Sequence, residues 1–223
     1  MHFDRMIVLD FETTGLRPGY RPVEIAWIEF DDTLNETDQV QALVNPGIPI
    51  EPAAQQTHGI TSTMLHDKPT LLDFLSSRHP GKFIDEHVLV VAHNAAYDVP
   101  MFAPYCKAVT SLCTMRLSQS LYPHAPDHRL ETMADVLRVD VEPNHRALAD
   151  AGACFSVLRA IATAHNLNLS ELIAASNRLG MDSVMPFGKH KGTPLRDLPP
   201  SYVNWCIENL AHDNWVRQAL LSD

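Results

Sequence analysis

The chain begins with an apolar run, Ile7-Val8-Leu9, after which polar and apolar residues alternate through Asp10, Phe11 and Glu12 to a turn at Gly15. A period of two marks a strand with one face buried. Apolar runs recur at Val23 to Phe30 and Gln39 to Val44, with polar links such as Asp31-Asp32-Thr33 between them. Three successive strands with short links predict an antiparallel meander. Leu16 to Pro22 and Asn45 to Pro52 are loops by their proline and glycine content. Val88 to Val91 is short and wholly apolar, as a central strand covered on both faces would be. Ser111 to Met115 is a fifth candidate strand.

The pattern between and after these strands turns helical. Thr61 caps a short helix carrying Met64 and Leu65, and Thr70 caps another with Leu71, Leu72 and Leu75 on one side. Asn94 reads as the N-cap of a helix whose first turns hold Asp98 and Pro100. Met115 to Leu121 and Leu130 to Leu137 are helices, the second with Leu130, Met133, Ala134 and Leu137 on one stripe. The longest helix opens at Asn144 and ends near His165, with Leu148, Ala151, Phe155, Leu158 and Ala162 on one face. Leu169 to Leu179 is a further helix, capped by Ser170 and ended by Gly180. A basic turn bracketed by glycines, Gly188-Lys189-His190-Lys191-Gly192, then leads to a proline-started helix with Tyr202, Trp205 and Cys206 as its core residues.

The 223 residues suit one domain with an appendage, or one large domain. The formal net charge of -10 argues against a protein that coats nucleic acid by bulk electrostatics. It leaves a nuclease open, because carboxylates that hold metal ions count as negative in the formula. Cys106, Cys113, Cys154 and Cys206 include no C-x-x-C pair, which excludes a zinc ribbon or a thioredoxin-like motif and suggests a reducing compartment. With no signal peptide and no apolar run near membrane-spanning length, the expected location is cytoplasmic, away from membranes.

The chemistry starts from Asp10 and Glu12. In a strand both side chains leave the same face, and two neighbouring carboxylates repel unless a cation lies between them. Alone, such a pair reads more readily as a surface strand with two solvated acids. Asp98, near a helix start at a strand's carboxyl end, and Asp150, flanked by Ala147 and Ala151, change that balance. Four carboxylates at the mouths of different elements could converge on two divalent ions. His145 stands five residues before Asp150, off its helical face, so it must reach back from the preceding loop. Its neutral imidazole suits a general base near pH 7. A nearly all-oxygen ligand set favours magnesium or manganese over zinc.

Asp10-x-Glu12-Thr13-Thr14-Gly15, His93-Asn94-Ala95-x-Tyr97-Asp98 and His145-x-Ala147-x-x-Asp150 resemble the three exonuclease motifs of the DnaQ-like superfamily, in order and in rough spacing. The histidine places the resemblance in the DEDDh branch of 3′–5′ exonucleases, and His58-Gly59-Ile60-Thr61 is similar to a further family segment. Cys113 to Leu117 with Leu121-Tyr122-Pro123, and the Phe187-Gly188-Lys189-His190-Lys191-Gly192 tail followed by Tyr202-x-x-Trp205, resemble the bacterial exodeoxyribonuclease X group. Tyr97 stands where that pattern has phenylalanine, and His190 where it has an aromatic residue.

The resemblance implies an α/β, ribonuclease-H-like fold: a mixed five-stranded sheet flanked by helices over residues 1–166, with a small C-terminal domain over 167–223. It implies release of nucleoside 5′-monophosphates from DNA 3′ ends, single-stranded or duplex, with two Mg2+ or Mn2+ ions, in DNA repair. Asp10, Glu12, Asp98 and Asp150 would bind metal, and His145 would be the base. Thr13, Leu16, His93 and Asn94 would meet the terminal nucleotide, and Lys189, Lys191 and Arg196 would grip phosphates. The acidity of the whole chain implies a weak, salt-sensitive grip and distributive action. A 3′–5′ exoribonuclease or a polymerase-associated proofreading module are the alternatives, and a second copy or repair proteins are candidate partners.

Overall fold

The computed structural model describes residues 2–16, 19–78, 83, 85–141, 144–177, 184–185, 187–210 and 215–221. Arg5–Thr13 extend as β1, Pro22–Phe30 as β2 and Glu36–Leu43 as β3, paired antiparallel as the meander predicts. β3 begins at Glu36, before the alternating stretch, because its first residues are exposed on a sheet edge where polar side chains are at home. Three helices follow: α1 (Pro52–His58), α2 (Ser62–Leu65) and α3 (Leu71–Arg78). They carry the chain across to β4 (His87–Ala92), which lies parallel to β1. α4 (Ala95–Phe102) then leads to β5 (Ala108–Cys113), parallel to β4, in a sheet ordered β3-β2-β1-β4-β5.

The rest of the described chain is helical: α5 (Thr114–Leu121), α6 (Leu130–Leu137), α7 (Ala147–His165), α8 (Leu169–Asn177), α9 (Pro200–Asn209) and α10 (Trp215–Leu221). The alternation within β1 divides the interior. Ile7, Leu9 and Phe11 face a core shared with Trp27 and with α3 and α4. Val8 faces the opposite core, built on α7 with α5, α6 and α8. Asp10 and Glu12 continue the Val8 face and so leave the sheet toward α7. α7 reaches a mean hydropathy of 1.4, enough by length and composition to cross a membrane, contrary to the expectation that no apolar run approaches that length. Its apolar residues instead pack on β1, β2 and α6.

Several local expectations shift. α1 forms where the sequence suggests only loop, started by Pro52 and ended by Gly59 in the left-handed region. β5 begins at Ala108 rather than Ser111, and Thr114 already opens α5. Leu72 points to solvent, whereas Leu71 and Leu75 are buried. The α8 cap is Asn168, not Ser170: the Asn168 Oδ1 accepts the Glu171 N–H at 3.1 Å while the Glu171 carboxylate accepts the Asn168 N–H at 2.8 Å. Leu179 and Gly180, the expected end of that helix, lie outside the described residues. Leu172, Ile173 and Ala175 pack into the large core, where α8 meets α5 and β5. The tail has its own small core of Met185, Leu195, Leu198, Cys206 and Val216. Cys206 is buried there as expected, but Trp205 is not: it is 46% exposed.

The capping pair can be checked by urea unfolding. Asn168→Ala should lower stability by about 1 kcal/mol, whereas Ser170→Ala should change it by less than about 0.5 kcal/mol.

Candidate active site

β1 runs on beyond its partner. It pairs with β4 only from Arg5 to Val8, while its pairing with β2 continues to Thr13. The open edge after Val8 is met by α4, where the Asp98 carboxylate accepts a hydrogen bond from the Phe11 backbone N–H. Asp98 is almost fully buried at this point. Asp10 and Glu12, one pleat apart on β1, and Asp150, in the first turn of α7, bring carboxylate oxygens within 4.8 Å of one another. Asp98 lies close enough that its charge raises the Asp10 carboxyl further. Three of the four acids expected from the sequence therefore share one cluster, and the fourth, Asp98, acts on Asp10 through its charge.

Each of these carboxyls is pushed above its ordinary value, and burial is the largest cause in every case. Asp10 rises well above the usual carboxylate range through burial, then through the charges of Asp98 and Asp150. Glu12 is pushed up to about 7 by burial and by Asp150. Asp98 rises well above its usual range because burial outweighs the Phe11 N–H. Asp150 rises by burial against N–H groups of Asn144 and His145. Half-buried oxygen ligands that resist ionisation when alone fit a hard divalent cation, whose charge reverses the penalty. Asp10, Glu12, Asp98 and Asp150 would hold it.

His145 is exposed, with φ 56, on the loop entering α7. Asp150 holds that loop: its Oδ1 accepts the Asn144 N–H at 3.0 Å, and its carboxylate also takes the His145 N–H. The five-residue gap is thus bridged by the loop folding over the helix start. A residue absent from the sequence reading holds the same helix from below. Glu24, opposite Glu12 in the β1–β2 register, is fully buried. It accepts hydrogen bonds from Arg146 Nη2 at 2.6 Å and Nε at 3.1 Å, from the Ala147 N–H at 3.0 Å and from Gln41 Nε2 at 2.9 Å. Arg146 has no side-chain cap of its own to offer α7, so Glu24 serves as a cap reaching across from β2. The signal was a lone acid inside the apolar run Val23-Glu24-Ile25-Ala26-Trp27.

The turn after β1 is pinned from two sides. The Ile60 N–H donates to His58 Nδ1 at 3.0 Å, which leaves Nε2 to donate to the Thr13 carbonyl at 3.2 Å. The Tyr97 and Thr13 hydroxyls are hydrogen-bonded to each other at 2.6 Å, and both stand within reach of the Gly15 carbonyl. Tyr20 stacks on Tyr97 with ring centroids 4.6 Å apart. Gly15 holds φ 157, a conformation that residues with a Cβ rarely adopt, which explains the glycine. These residues enclose a cavity of about 270 Å3 lined by Glu12, Thr13, Gly15, Leu16, His58 and Tyr97, among others. Leu16 stands 82% exposed at its rim.

The remaining sequence-predicted residues fall elsewhere. Both His93 nitrogens are used within the protein, Nδ1 with the Thr114 hydroxyl at 2.9 Å and Nε2 with the His128 carbonyl at 2.9 Å. Burial pushes its pKa down to about 4, so the ring is neutral and positions the His128 loop. Asn94 holds the N-cap position of α4 as expected, exposed and with φ 70, but its side chain makes no capping hydrogen bond. Lys189 and Lys191 are exposed on the C-terminal turn, apart from the acidic cluster.

With this geometry in view, comparison with known proteins is decisive. The family model described as exonuclease matches residues 7–158. The chain belongs to the exonuclease family. It is a 3′–5′ exonuclease of the DnaQ-like superfamily, a family dependent on divalent metal. Exodeoxyribonuclease 10 of Escherichia coli (strain K12) is 28% identical over 210 residues, covering 91% of this exonuclease and 90% of the relative. The PolC-type DNA polymerase III of Caldanaerobacter subterraneus subsp. tengcongensis is 31% identical over 156 residues, 66% of this chain but 11% of the polymerase. Exonuclease X in complex with 5′ overhanging duplex DNA superposes with a TM-score of 0.63 at 27% identity, covering 77% of this exonuclease and 99% of that chain. A second family model, named for a quorum-sensing-regulated virulence factor, matches residues 178–209.

Two outcomes test the site. For Glu12, ordinarily near 4.5 and here about 7, ionisation begins to penalise the folded state above about 4.5 and the penalty is complete above about 7. A divalent cation that removes this cost should therefore raise Tm more at pH 8 than at pH 5. The titration of His93 is common to both states and cancels in the difference with and without chelator. Asp10→Asn should abolish most of the metal-induced shift and raise the metal-free Tm at pH 8; equal shifts at both pH values would contradict the assignment. Separately, Arg146→Met should cost about 2 kcal/mol in urea unfolding, less than loss of a fully buried pair because Arg146 is partly exposed.

Proposed function

We propose that this exonuclease removes nucleoside 5′-monophosphates one at a time from DNA 3′ ends, single-stranded and duplex, with Mg2+ or Mn2+ at the acidic cluster. The observation that carries this reading is the convergence of Asp10, Glu12 and Asp150 beside the cavity that Glu12 shares with Thr13 and Leu16. Two ions held there would supply positive charge to the phosphate oxygens and lower the pKa of a bound water. The oxygen-only ligand set favours magnesium or manganese.

The chain's own groups divide the remaining work. Thr13 and Gly15 present a turn fixed by His58 and Tyr97, which holds the terminal nucleotide in one orientation. Leu16 offers its exposed side chain to the terminal base, as apolar side chains do when they separate stacked bases. His145, exposed beside Asp150, accepts the proton of the attacking water as the water oxygen bonds to phosphorus. The bond from phosphorus to O3′ breaks, and the departing oxygen takes a proton from solvent. The four cysteines are all unpaired, in keeping with a reducing, cytoplasmic setting.

End-labelled single-stranded DNA should be shortened stepwise in magnesium and left intact with chelator. His145→Ala should lower kcat by roughly 100-fold or more while moving Tm little, since the side chain is exposed. An unchanged kcat would remove His145 from the base role. Parallel RNA of the same sequence should be the poorer substrate; equal turnover would favour the exoribonuclease reading.

A further inference from the structure

The C-terminal tail carries a feature that the catalytic chemistry leaves unused. Residues 1–166 hold 12 Lys and Arg against 21 Asp and Glu, yet Val184 to Arg196 hold Lys189, Lys191 and Arg196 and no acid. This basic turn is built onto an aromatic stack. Gly188, at φ 72, leaves space for the Tyr202 hydroxyl, which stands 2.5 Å from where a Cβ would be. His190 packs on the Tyr202 ring with centroids 4.5 Å apart, and Lys189 Nζ lies 5.4 Å from the ring centre. Trp205 stacks on Tyr202 at 5.5 Å with 16° between the planes and is 46% exposed. Leaving a tryptophan this open wastes apolar surface that the adjacent core around Cys206 could have taken.

The same tail forms one wall of a groove of about 510 Å3. Phe187 and Lys191 face His128 and Arg129 across it, with Asp127 the one acid among the described lining residues. Asn94 and Ala96 also line the groove, four and two residues before Asp98, and both are exposed. The groove thus runs from the basic turn toward the start of α4, the helix that supplies Asp98 to the acidic cluster.

We propose that the tail is a stacking platform for single-stranded nucleic acid, with Trp205 contacting bases and Lys189 and Lys191 the phosphates, which holds the strand upstream of the 3′ end being cut. Aromatic faces interleaved with cations are what sequence-tolerant strand binding requires, because every base has a face to stack and every linkage a charge to meet. In a chain of net charge -10 this local excess of cations also sets where a polyanion can settle. The strand's course into the groove rests on the exonuclease reading of the acidic site, but binding to the platform does not.

The test uses the full chain with a 5′-labelled single-stranded oligonucleotide. In chelator, where nothing is cut, Trp205→Ala should weaken binding about tenfold by anisotropy, and Trp205→Phe should restore most of the affinity. Oligonucleotide should quench tryptophan emission in the parent and lose that part of the quench in Trp205→Ala. In magnesium, the KM of Trp205→Ala should rise about tenfold with kcat falling less than twofold. Because Trp205 is half exposed, its loss should shift Tm little, and the Met185 to Val216 core can be followed by that measurement. Parent-like affinity, quenching and KM in Trp205→Ala would overturn the platform. Oligonucleotide binding that depends on Trp205 without release of nucleotides would support the platform and overturn the exonuclease mechanism instead.

Discussion

Repulsion among four carboxylates governs this molecule. Asp10, Glu12 and Asp150 crowd within 4.8 Å, with Asp98 behind them and burial raising all four. Left to itself such a cluster would push the end of β1 away from α4 and α7. It is held because each acid sits on an element anchored elsewhere: β1 in the sheet centre, α4 against β4 and β5, α7 across β1 and β2. The hydrophobic cores on the two faces of the sheet supply the free energy that keeps the acids in place. A cation is the natural counterpart of this arrangement, since it turns the largest local cost into an attraction.

The same economy of position appears around His145. His145 belongs to no regular element, and its loop is bounded by residues 142 and 143, outside the described structure. What fixes it is electrostatic: Asp150 gathers the loop's N–H groups, and Glu24 grips Arg146 and the first N–H of α7. Glu24 is a buried acid with four donors around it, whereas at Glu12 opposite it burial and the charges of Asp150 and Glu24 outweigh the charge of Arg146. Two glutamates paired across adjacent strands therefore take different roles because of their partners: one stabilises the scaffold, the other waits for a ligand.

The turn from Thr13 to Leu16 joins the acids to the outer surface. His58 from the end of α1 and Tyr97 from α4 reach it from opposite sides, so this exposed turn is also held in place. Tyr97 adds a hydroxyl where the family pattern has phenylalanine, and that hydroxyl is spent on the Gly15 carbonyl. The departure thus stiffens the turn and leaves the acids untouched.

The acidic cluster was legible in the sequence because its signals are local. Alternation in β1 put Asp10 and Glu12 on one face, helix starts located Asp98 and Asp150, and the spacing of His145 required a loop. The meander and the central β4 followed from periodicity alone. Other features depend on partners distant in the chain. Glu24 and Arg146 are 122 residues apart, and nothing in either segment names the other. Trp205 and Cys206 are adjacent on one helix, yet only the packing of Met185, Leu195 and Val216 decides which of them is buried. Asn168 outranks Ser170 as a cap because Glu171 lies three residues after it, within reach to return the hydrogen bond. Sequence determined which chemistry the chain carries and on which faces, through periods of two and 3.6 residues. Tertiary structure decided which charges are paired and which are left for a ligand, because pairing depends on distances that no local pattern encodes.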